Sequence, residues 1–143
     1  MKRHLLDVNV LIALADPAHV HHEKAHEWFG EVGMQSFATC PITQNGFVRI
    51  LGHPRYPNGP GTPNATLNFL DNLLNLPGHE YWPDSISVTN KGLFLRENFP
   101  SANHLTDAYL LGLAVTNKGF LATFDRRIPS ASVQGGQKAL VVI

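Results

Sequence analysis

Two short apolar segments of this chain each end on an aspartate, and this pattern constrains the fold more than any other feature. A leucine pair is followed by Asp7, after which residues 9–15 show the apolar spacing of a helix. Residues 120–124 form a second strand-like segment, which is followed by Asp125. In open α/β sheets, sites form at the carboxyl ends of the strands. The sequence therefore predicts an α/β protein with acidic side chains at one edge of its sheet.

A third aspartate, Asp107, lies in the first turn of the helix predicted over residues 106–116. Carboxylates that are brought close together cannot all ionise unless a cation balances their charge. No lysine adjoins any of the three aspartates in the sequence, so a divalent metal ion is the simplest partner. Hard oxygen ligands favour Mg²⁺, with Mn²⁺ as its close substitute.

Each aspartate also has a simpler interpretation when it is taken alone. Asp7 has the position of a helix N-cap, and Asp107 has that of a charge favourably placed at a helix N-terminus. Asp125 precedes two arginines and has the surroundings of a solvated loop residue. Their joint placement at strand ends and a helix start favours a shared acidic pocket.

Five motifs, in this order along the chain, resemble those of the PIN-domain ribonucleases and, more narrowly, of the VapC toxins of bacterial toxin–antitoxin pairs. The motifs are residues 5–11 (LLDVNVL), 40–49 (CPITQNGFVR), 81–84 (YWPD), 105–110 (LTDAYL) and 123–125 (TFD). Each motif is short, and the resemblance becomes specific because their order and spacing match over nearly the whole chain. It implies one PIN domain over residues 1–143, a three-layer α/β/α sandwich with a central, mostly parallel sheet.

The resemblance also implies an activity and its partners. PIN domains hydrolyse RNA phosphodiester bonds with Mg²⁺ or Mn²⁺ held by acidic residues, so this chain is expected to be a metal-dependent endoribonuclease. Its partners would be an RNA substrate, a VapB-type antitoxin and a second copy in a homodimer. Carried over to this sequence, Asp7 would be the first metal ligand, with Asp107 and Asp125 as the third and fourth acids. Asn9 would orient the first acid, and Thr123 would support the fourth.

Gln44 departs from the PIN pattern, because most PIN domains have a glutamate as the second catalytic acid at this position. No Asp or Glu lies between Glu31 and Asp71 to replace it. A glutamine offers a neutral oxygen or one hydrogen bond, but no charge and no base. We therefore expect weaker metal binding than at a four-acid site, and a catalytically weak or inactive RNA- or antitoxin-binding module remains an alternative.

Three arginines are candidates for contacts with RNA. Arg126 and Arg127 directly follow the last acid, and Arg49 lies on the predicted helix of Gln44. Each has an equal claim to be a solvated surface cation. With 11 basic and 11 acidic side chains and a net charge of zero, the chain has no global basic character of the kind that marks avid nucleic-acid binders. A local basic rim, a dimer groove or a partner must then provide the contacts with RNA.

Other classes of function have weaker support. An aspartate-based phosphotransfer domain needs a lysine directly after a late strand or a second Asp two residues after the first, where this chain has Asn9. His22 and His26 have the i, i+4 spacing of a zinc pair but no third ligand at motif spacing. The single Cys40 excludes an internal disulfide, and the sequence has no signal peptide and no apolar run of 18 residues. These features predict a cytoplasmic protein without a membrane anchor.

Overall fold

A five-stranded parallel sheet forms the centre of the protein in a computed structural model that describes residues 2–143. The strands are β1 (His4–Leu6), β2 (Phe37–Thr39), β3 (His79–Tyr81), β4 (Phe120–Thr123) and β5 (Leu140–Val142). Their spatial order is β3-β2-β1-β4-β5, and every neighbouring pair is parallel. The α/β fold class predicted from the sequence is confirmed.

Six helices accompany the sheet in the described residues. They are α1 (Val8–Ala15), α2 (His22–Glu31), α3 (Pro41–Leu51), α4 (Pro63–Leu74), α5 (Leu105–Thr116) and α6 (Gly136–Ala139). None of them has the length and hydropathy needed to cross a membrane.

Strands β1, β2 and β4 each contribute side chains to two separate hydrophobic clusters, one on each face of the sheet. On β1, Leu5 packs in the cluster that contains α5 and α6, and Leu6 packs in the cluster that contains α1 and α2. Leu121 and Ala122 on β4 divide in the same way. This alternation follows from the pleat of a strand, and it explains why the strands read as continuous apolar runs. The result is a three-layer sandwich with apolar contacts on both faces.

The sheet order places the candidate site at a reversal of topology. From β1 the chain adds β2 and β3 on one side, and it then returns to add β4 and β5 on the other. Leu6 of β1 pairs in register with Ala122 of β4, so the residues that follow these strands emerge together. Crevices at such switch points are the usual binding sites of open parallel sheets. Asp7 and Asp125 lie at this position.

The structure corrects two details of the predicted elements. The sequence of residues 92–98 predicts a short helix, but the structure has only a 3-10 helix at Arg96–Asn98, preceded by turns and an isolated bridge between Phe94 and Val133. The backbone groups on either side of Phe94 bond across this bridge and not within a helix, because the N–H of Leu95 donates to the carbonyl of Ser132 and the N–H of Gln134 donates to the carbonyl of Leu93 (both 2.9 Å). The four-residue helix α6 was not predicted, because so short a segment has no measurable apolar period.

Gly78 provides a test of the packing beside β3. A Cβ at this position would overlap the carbonyl oxygen of Met34, and the Gly78 carbonyl accepts a hydrogen bond from the backbone N–H of Phe37 (2.9 Å). We expect Gly78→Ala to lower the free energy of unfolding by roughly 2 kcal/mol or more. A Cβ added at Gly30 in α2 would meet no atom within 4 Å, so Gly30→Ala is the matched control and should raise stability by roughly 0.5–1 kcal/mol. Urea denaturation would measure the stability of both variants. A Gly78→Ala protein as stable as the parent would contradict the close packing at this position.

Candidate active site

Asp7 is a buried carboxylate at the junction of β1 and α1. Its backbone is extended and it forms the N-cap of α1, where its Oδ1 accepts a hydrogen bond from the backbone N–H of Val8 (2.7 Å). Its Oδ2 accepts a hydrogen bond from the Thr123 hydroxyl (2.8 Å). The residue is only 7% exposed. Asp7 therefore caps α1, as expected when this residue is considered alone. Its hydrogen bond from Thr123, 116 residues away in the chain, is an additional contact that a helix cap does not require.

Thr123, the last residue of β4, connects the elements around Asp7. Its hydroxyl oxygen accepts hydrogen bonds from the Asn9 side-chain amide (3.1 Å) and from the backbone N–H of Asp125 (3.0 Å). Because it also donates to Asp7, the hydrogen-bonding capacity of the hydroxyl is filled. The Asn9 amide oxygen in turn accepts from the backbone N–H of Phe124 (3.2 Å). Asn9 thus acts on Asp7 through Thr123 and not by direct contact.

Asp107 lies in the first turn of α5, as predicted, with its side chain about a quarter exposed. Nδ1 of His104 lies 3.5 Å from its Oδ2, at the limit of a hydrogen bond. That buried nitrogen has no partner of good geometry within residues 2–143. The other carboxylate oxygen of Asp107 has no protein partner in the same range and is free to bind a ligand.

Asp125 is held by the loop that follows β4. Its Oδ1 accepts hydrogen bonds from the backbone N–H of Arg127 (2.8 Å) and from Nε of the same arginine (3.2 Å). The Arg127 side chain is 81% exposed, so this ion pair is open to solvent. Oδ2 of Asp125 has no protein partner in the described residues.

Gln44 occupies the first turn of α3 and points its amide group at the end of β2. Its Nε2 donates a hydrogen bond to the Thr39 hydroxyl (2.9 Å), whose oxygen also lies 2.8 Å from Nε2 of His79. The Gln44 amide oxygen makes no hydrogen bond to the described residues. Sequence reasoning missed Thr39 and His79. One sequence feature could have indicated Thr39, because β2 and β4 both end on a threonine, in the segments FAT and FLAT.

The three aspartates differ in the direction and cause of their pKa shifts. Burial raises the pKa of Asp7 to about 6, against the opposing effect of its hydrogen bonds from Thr123 and Val8. Burial also raises the pKa of Asp107, with the charge of Asp125 adding to the effect. Hydrogen bonds from Arg127 lower the pKa of Asp125. The charges of Asp107 and Asp125 both raise the pKa of Asp7, so the three carboxylates lie within electrostatic range of one another.

The donor set fits a hard divalent cation that keeps part of its water shell. Oxygens without a partner among the described residues remain on Asp107, Asp125 and Gln44, and each oxygen of Asp7 accepts one hydrogen bond and keeps a lone pair. All are the hard ligands that Mg²⁺ and Mn²⁺ prefer. Within residues 2–143, no three His, Cys, Asp or Glu side chains stand close enough together to enclose an ion. Mg²⁺ commonly binds through one or two carboxylates and several waters, so a closed cage is not required.

Two of the three arginines predicted to contact RNA lie beside the acids. An open cleft of about 470 Å³ is lined by Asn9, Phe124, Asp125, Arg126 and Arg127. Both arginines are exposed. Arg49 is exposed in the last turn of α3 and does not line this cleft.

The side chains of His22 and His26 in α2 contact backbone carbonyl groups at the end of α1. A ring nitrogen of His22 lies 2.7 Å from the carbonyl oxygen of Ala13, and one of His26 lies 2.7 Å from that of Leu14. These carbonyls belong to the last turn of α1, which has no intrahelical donors for them. No third metal-binding side chain completes the pair in the described residues.

The comparison with known protein families agrees with this geometry. Residues 4–133 match the family model of the PIN domain, so the chain belongs to the PIN-domain family. Within that family it is 41% identical over 136 residues to Ribonuclease VapC44 of Mycobacterium tuberculosis (strain ATCC 25618 / H37Rv), a match that covers 95% of each chain. It is 37% identical over 131 residues to Ribonuclease VapC39 of the same strain, covering 92% of this chain and 94% of the relative. Ribonuclease VapC38, also of that strain, is 38% identical over 122 residues, covering 85% and 84%.

The raised pKa of Asp7 predicts how stability depends on pH. Between pH 3.8 and about 6, folded Asp7 keeps a proton that the unfolded chain has released, so the free energy of unfolding falls as pH rises through this window. The free energy of unfolding falls by about 3 kcal/mol across the whole window. The Asp7→Asn variant has no group to ionise at this position and should not show this decrease. In urea titrations of metal-free protein, we expect the stability of the variant relative to the parent to increase by roughly 2 kcal/mol from about pH 4 to about pH 7, because the unfolded aspartate is already partly ionised at pH 4. A difference that is constant with pH would show that Asp7 is not a desolvated acid.

Proposed function

We propose that this protein is the toxin of a bacterial toxin–antitoxin pair and that it hydrolyses phosphodiester bonds of RNA with a divalent cation. The observation that supports the proposal is that Asp7 and Asp125 follow neighbouring strands at the switch point of a PIN fold, and that the charges of Asp107 and Asp125 both raise the pKa of the buried Asp7. The similarity to relatives that are named ribonucleases supports the same conclusion.

Asp7, Asp107 and Asp125 would hold the Mg²⁺ or Mn²⁺ ion, with Gln44 contributing a neutral oxygen. When bound, such an ion polarises a phosphoryl oxygen and lowers the pKa of a coordinated water. The protein fixes its ligands in advance, because Thr123 orients Asp7 and Arg127 orients Asp125. This preorganisation limits the reorganisation needed during the reaction.

Asp107 is better suited than Asp125 to accept a proton from the attacking water. Its pKa is raised toward the working pH, whereas that of Asp125 is lowered, and a general base works best when its pKa lies near the pH of the reaction. His104 lies beside Asp107, with its Nδ1 3.5 Å from the carboxylate, and can stabilise the charged form. Asp125 would remain ionised and contribute charge.

The RNA backbone would be held by arginines at the rim of the site. Arg126 lies in the cleft and has no hydrogen bond or ion pair within residues 2–143, so its guanidinium is free to bind a phosphate. Arg127 is already paired with Asp125 and contributes less net charge. Arg49, on the exposed surface of α3, would contact RNA farther along the strand.

The proposed partners are a VapB-type antitoxin and a second copy of the chain. An apolar hollow of about 220 Å³ between α1, α2 and α4 supports the first of these, because it is open and has almost no polar lining. Its apolar residues are Leu14, Phe29, Phe69, Leu73 and Leu76. The hollow suits an apolar side chain of the antitoxin, which would extend from there toward the acids.

The alternatives can be judged by particular contacts. Gln44 favours the inactive-module alternative, because it replaces a charged ligand. Asn9 opposes a phosphotransfer domain, because both ends of its amide are engaged in holding Thr123 and Phe124.

The proposal predicts that Asp107→Asn abolishes cleavage of single-stranded RNA by the purified protein in millimolar Mg²⁺ or Mn²⁺. It also predicts that expression of the parent alone arrests growth of a bacterial host. Asp71→Asn, the same change at an exposed position on α4, is the matched control and should leave both unaffected. The loss should be at least about a hundredfold, because a metal ligand and base is removed. Cleavage that persists in chelator, or equal activity of the two variants, would contradict a metal-dependent site at Asp107.

Substitutions at Gln44 test separately whether this side chain contributes to metal binding. Gln44→Glu adds a charge to the pocket, and the Thr39 hydroxyl can rotate to donate to it. One more charge near a cation is worth roughly 1 kcal/mol even at high dielectric, so half-maximal cleavage should need about fivefold less metal. Gln44→Met removes the oxygen and should require more metal than the parent. Identical metal titrations for all three proteins would show that Gln44 does not face the ion.

A further inference from the structure

We propose that the stacked side chains of His21 and Phe124, here called the aromatic pair, form a nucleobase-binding element of the site. The inference rests on the proposed function, because it assigns a subsite to the same substrate. It concerns binding of a base, which can be measured whether or not the RNA is cleaved.

The aromatic pair is formed by two distant parts of the chain. The ring centroids are 4.5 Å apart and the planes differ by 10°, which is a face-to-face stack. His21 belongs to the connection between α1 and α2, and Phe124 follows β4. Both residues are half-buried, and Phe124 also packs against the apolar cluster that contains α1 and α2.

Helix capping does not explain the imidazole of His21. The residue is the N-cap of α2, but its side chain makes no capping hydrogen bond, and Ser, Thr, Asp or Asn would cap better. Its ring nitrogens have no hydrogen-bond partner within residues 2–143. Its contacts with other aromatic rings are the stack on Phe124 and a looser, tilted approach to His19 at 5.8 Å.

The position of Phe124 is fixed by the same hydrogen bonds that hold the acids. Its backbone N–H donates to Asn9, and its neighbours in sequence are Thr123 and Asp125. Phe124 lines the cleft of about 470 Å³ together with Arg126, and His21 stacks on Phe124 without itself lining that cleft. An aromatic surface is therefore held one residue from a site acid and two residues from a free guanidinium.

This combination matches the chemistry of a nucleotide in a single strand. A base presents a π-face for stacking, and its phosphate carries the charge that an arginine binds. A base inside a duplex is already stacked on its neighbours and cannot reach an aromatic side chain. The aromatic pair should therefore favour an unpaired base beside the cleaved bond.

The test compares hexaadenylate with a hexamer of abasic ribose phosphates of equal charge, by fluorescence anisotropy of the intact protein in chelator. The parent should bind hexaadenylate roughly 5- to 100-fold more tightly, because stacking on a base contributes that factor. His21→Leu keeps an apolar side chain but removes the π-face, and should lose most of this ratio. His21→Phe should retain it.

Two control variants separate stacking from charge and from general damage. Arg126→Gln should weaken binding of both hexamers by the same factor and reduce the dependence on salt, as expected for a phosphate contact. His53→Leu, at an exposed histidine in the loop after α3, should change neither. Circular dichroism of each variant establishes that it is folded.

The outcomes distinguish this inference from the proposed function. If the parent does not discriminate between the hexamers, or if His21→Leu discriminates as the parent does, the aromatic pair is a structural contact and the inference is wrong. If the discrimination depends on His21 but no RNA is cleaved in Mg²⁺ or Mn²⁺, the inference stands and the nuclease proposal fails. Where cleavage occurs, His21→Leu should raise KM for single-stranded RNA and leave kcat within about twofold.

Discussion

The Thr123 hydroxyl joins the end of β4 to the start of α1, and the arrangement of the candidate site depends on this one group. It donates to the buried Asp7 and accepts from Asn9 and from the backbone of Asp125. A buried carboxylate without such a partner would carry a large desolvation cost. Because the hydroxyl serves both acids, a change at Thr123 would disturb the position of Asp7 and the course of the loop that carries Asp125 at the same time.

The site stores unfavourable electrostatic energy that the rest of the fold must offset. The pKa of Asp7 is raised to about 6, so at neutral pH its charge opposes folding. The apolar clusters on the two faces of the sheet provide the compensating stabilisation, and their rigid strands keep the acids from moving apart. Perturbed carboxylates of this kind are typical of functional sites, where geometry is retained at a cost in stability.

The sequence predicts those parts of the structure that have local causes. Apolar segments that end on Asp7 and Asp125 indicate strands whose ends meet, and the first-turn position of Asp107 follows from helical periodicity. The hydrogen bonds of Gln44 were not predictable, because its partner Thr39 contacts His79, 40 residues farther along, and no periodic pattern encodes such a pair. The pairing of Arg127 with Asp125 depends on a loop conformation that sequence patterns do not determine.

A protein of zero net charge with three acids in its pocket cannot rely on long-range attraction to hold RNA. Phosphates approaching Asp125 are repelled unless a cation balances its charge, and the ion pair of Arg127 leaves Arg126 as the free positive charge of the cleft among the described residues. Affinity must therefore include contributions that do not depend on net charge. Stacking on His21 and Phe124 is such a contribution, and it acts on unpaired bases in particular. Selection of single strands would then follow from the weakness of the electrostatic attraction, because a duplex offers only its charged backbone to this surface.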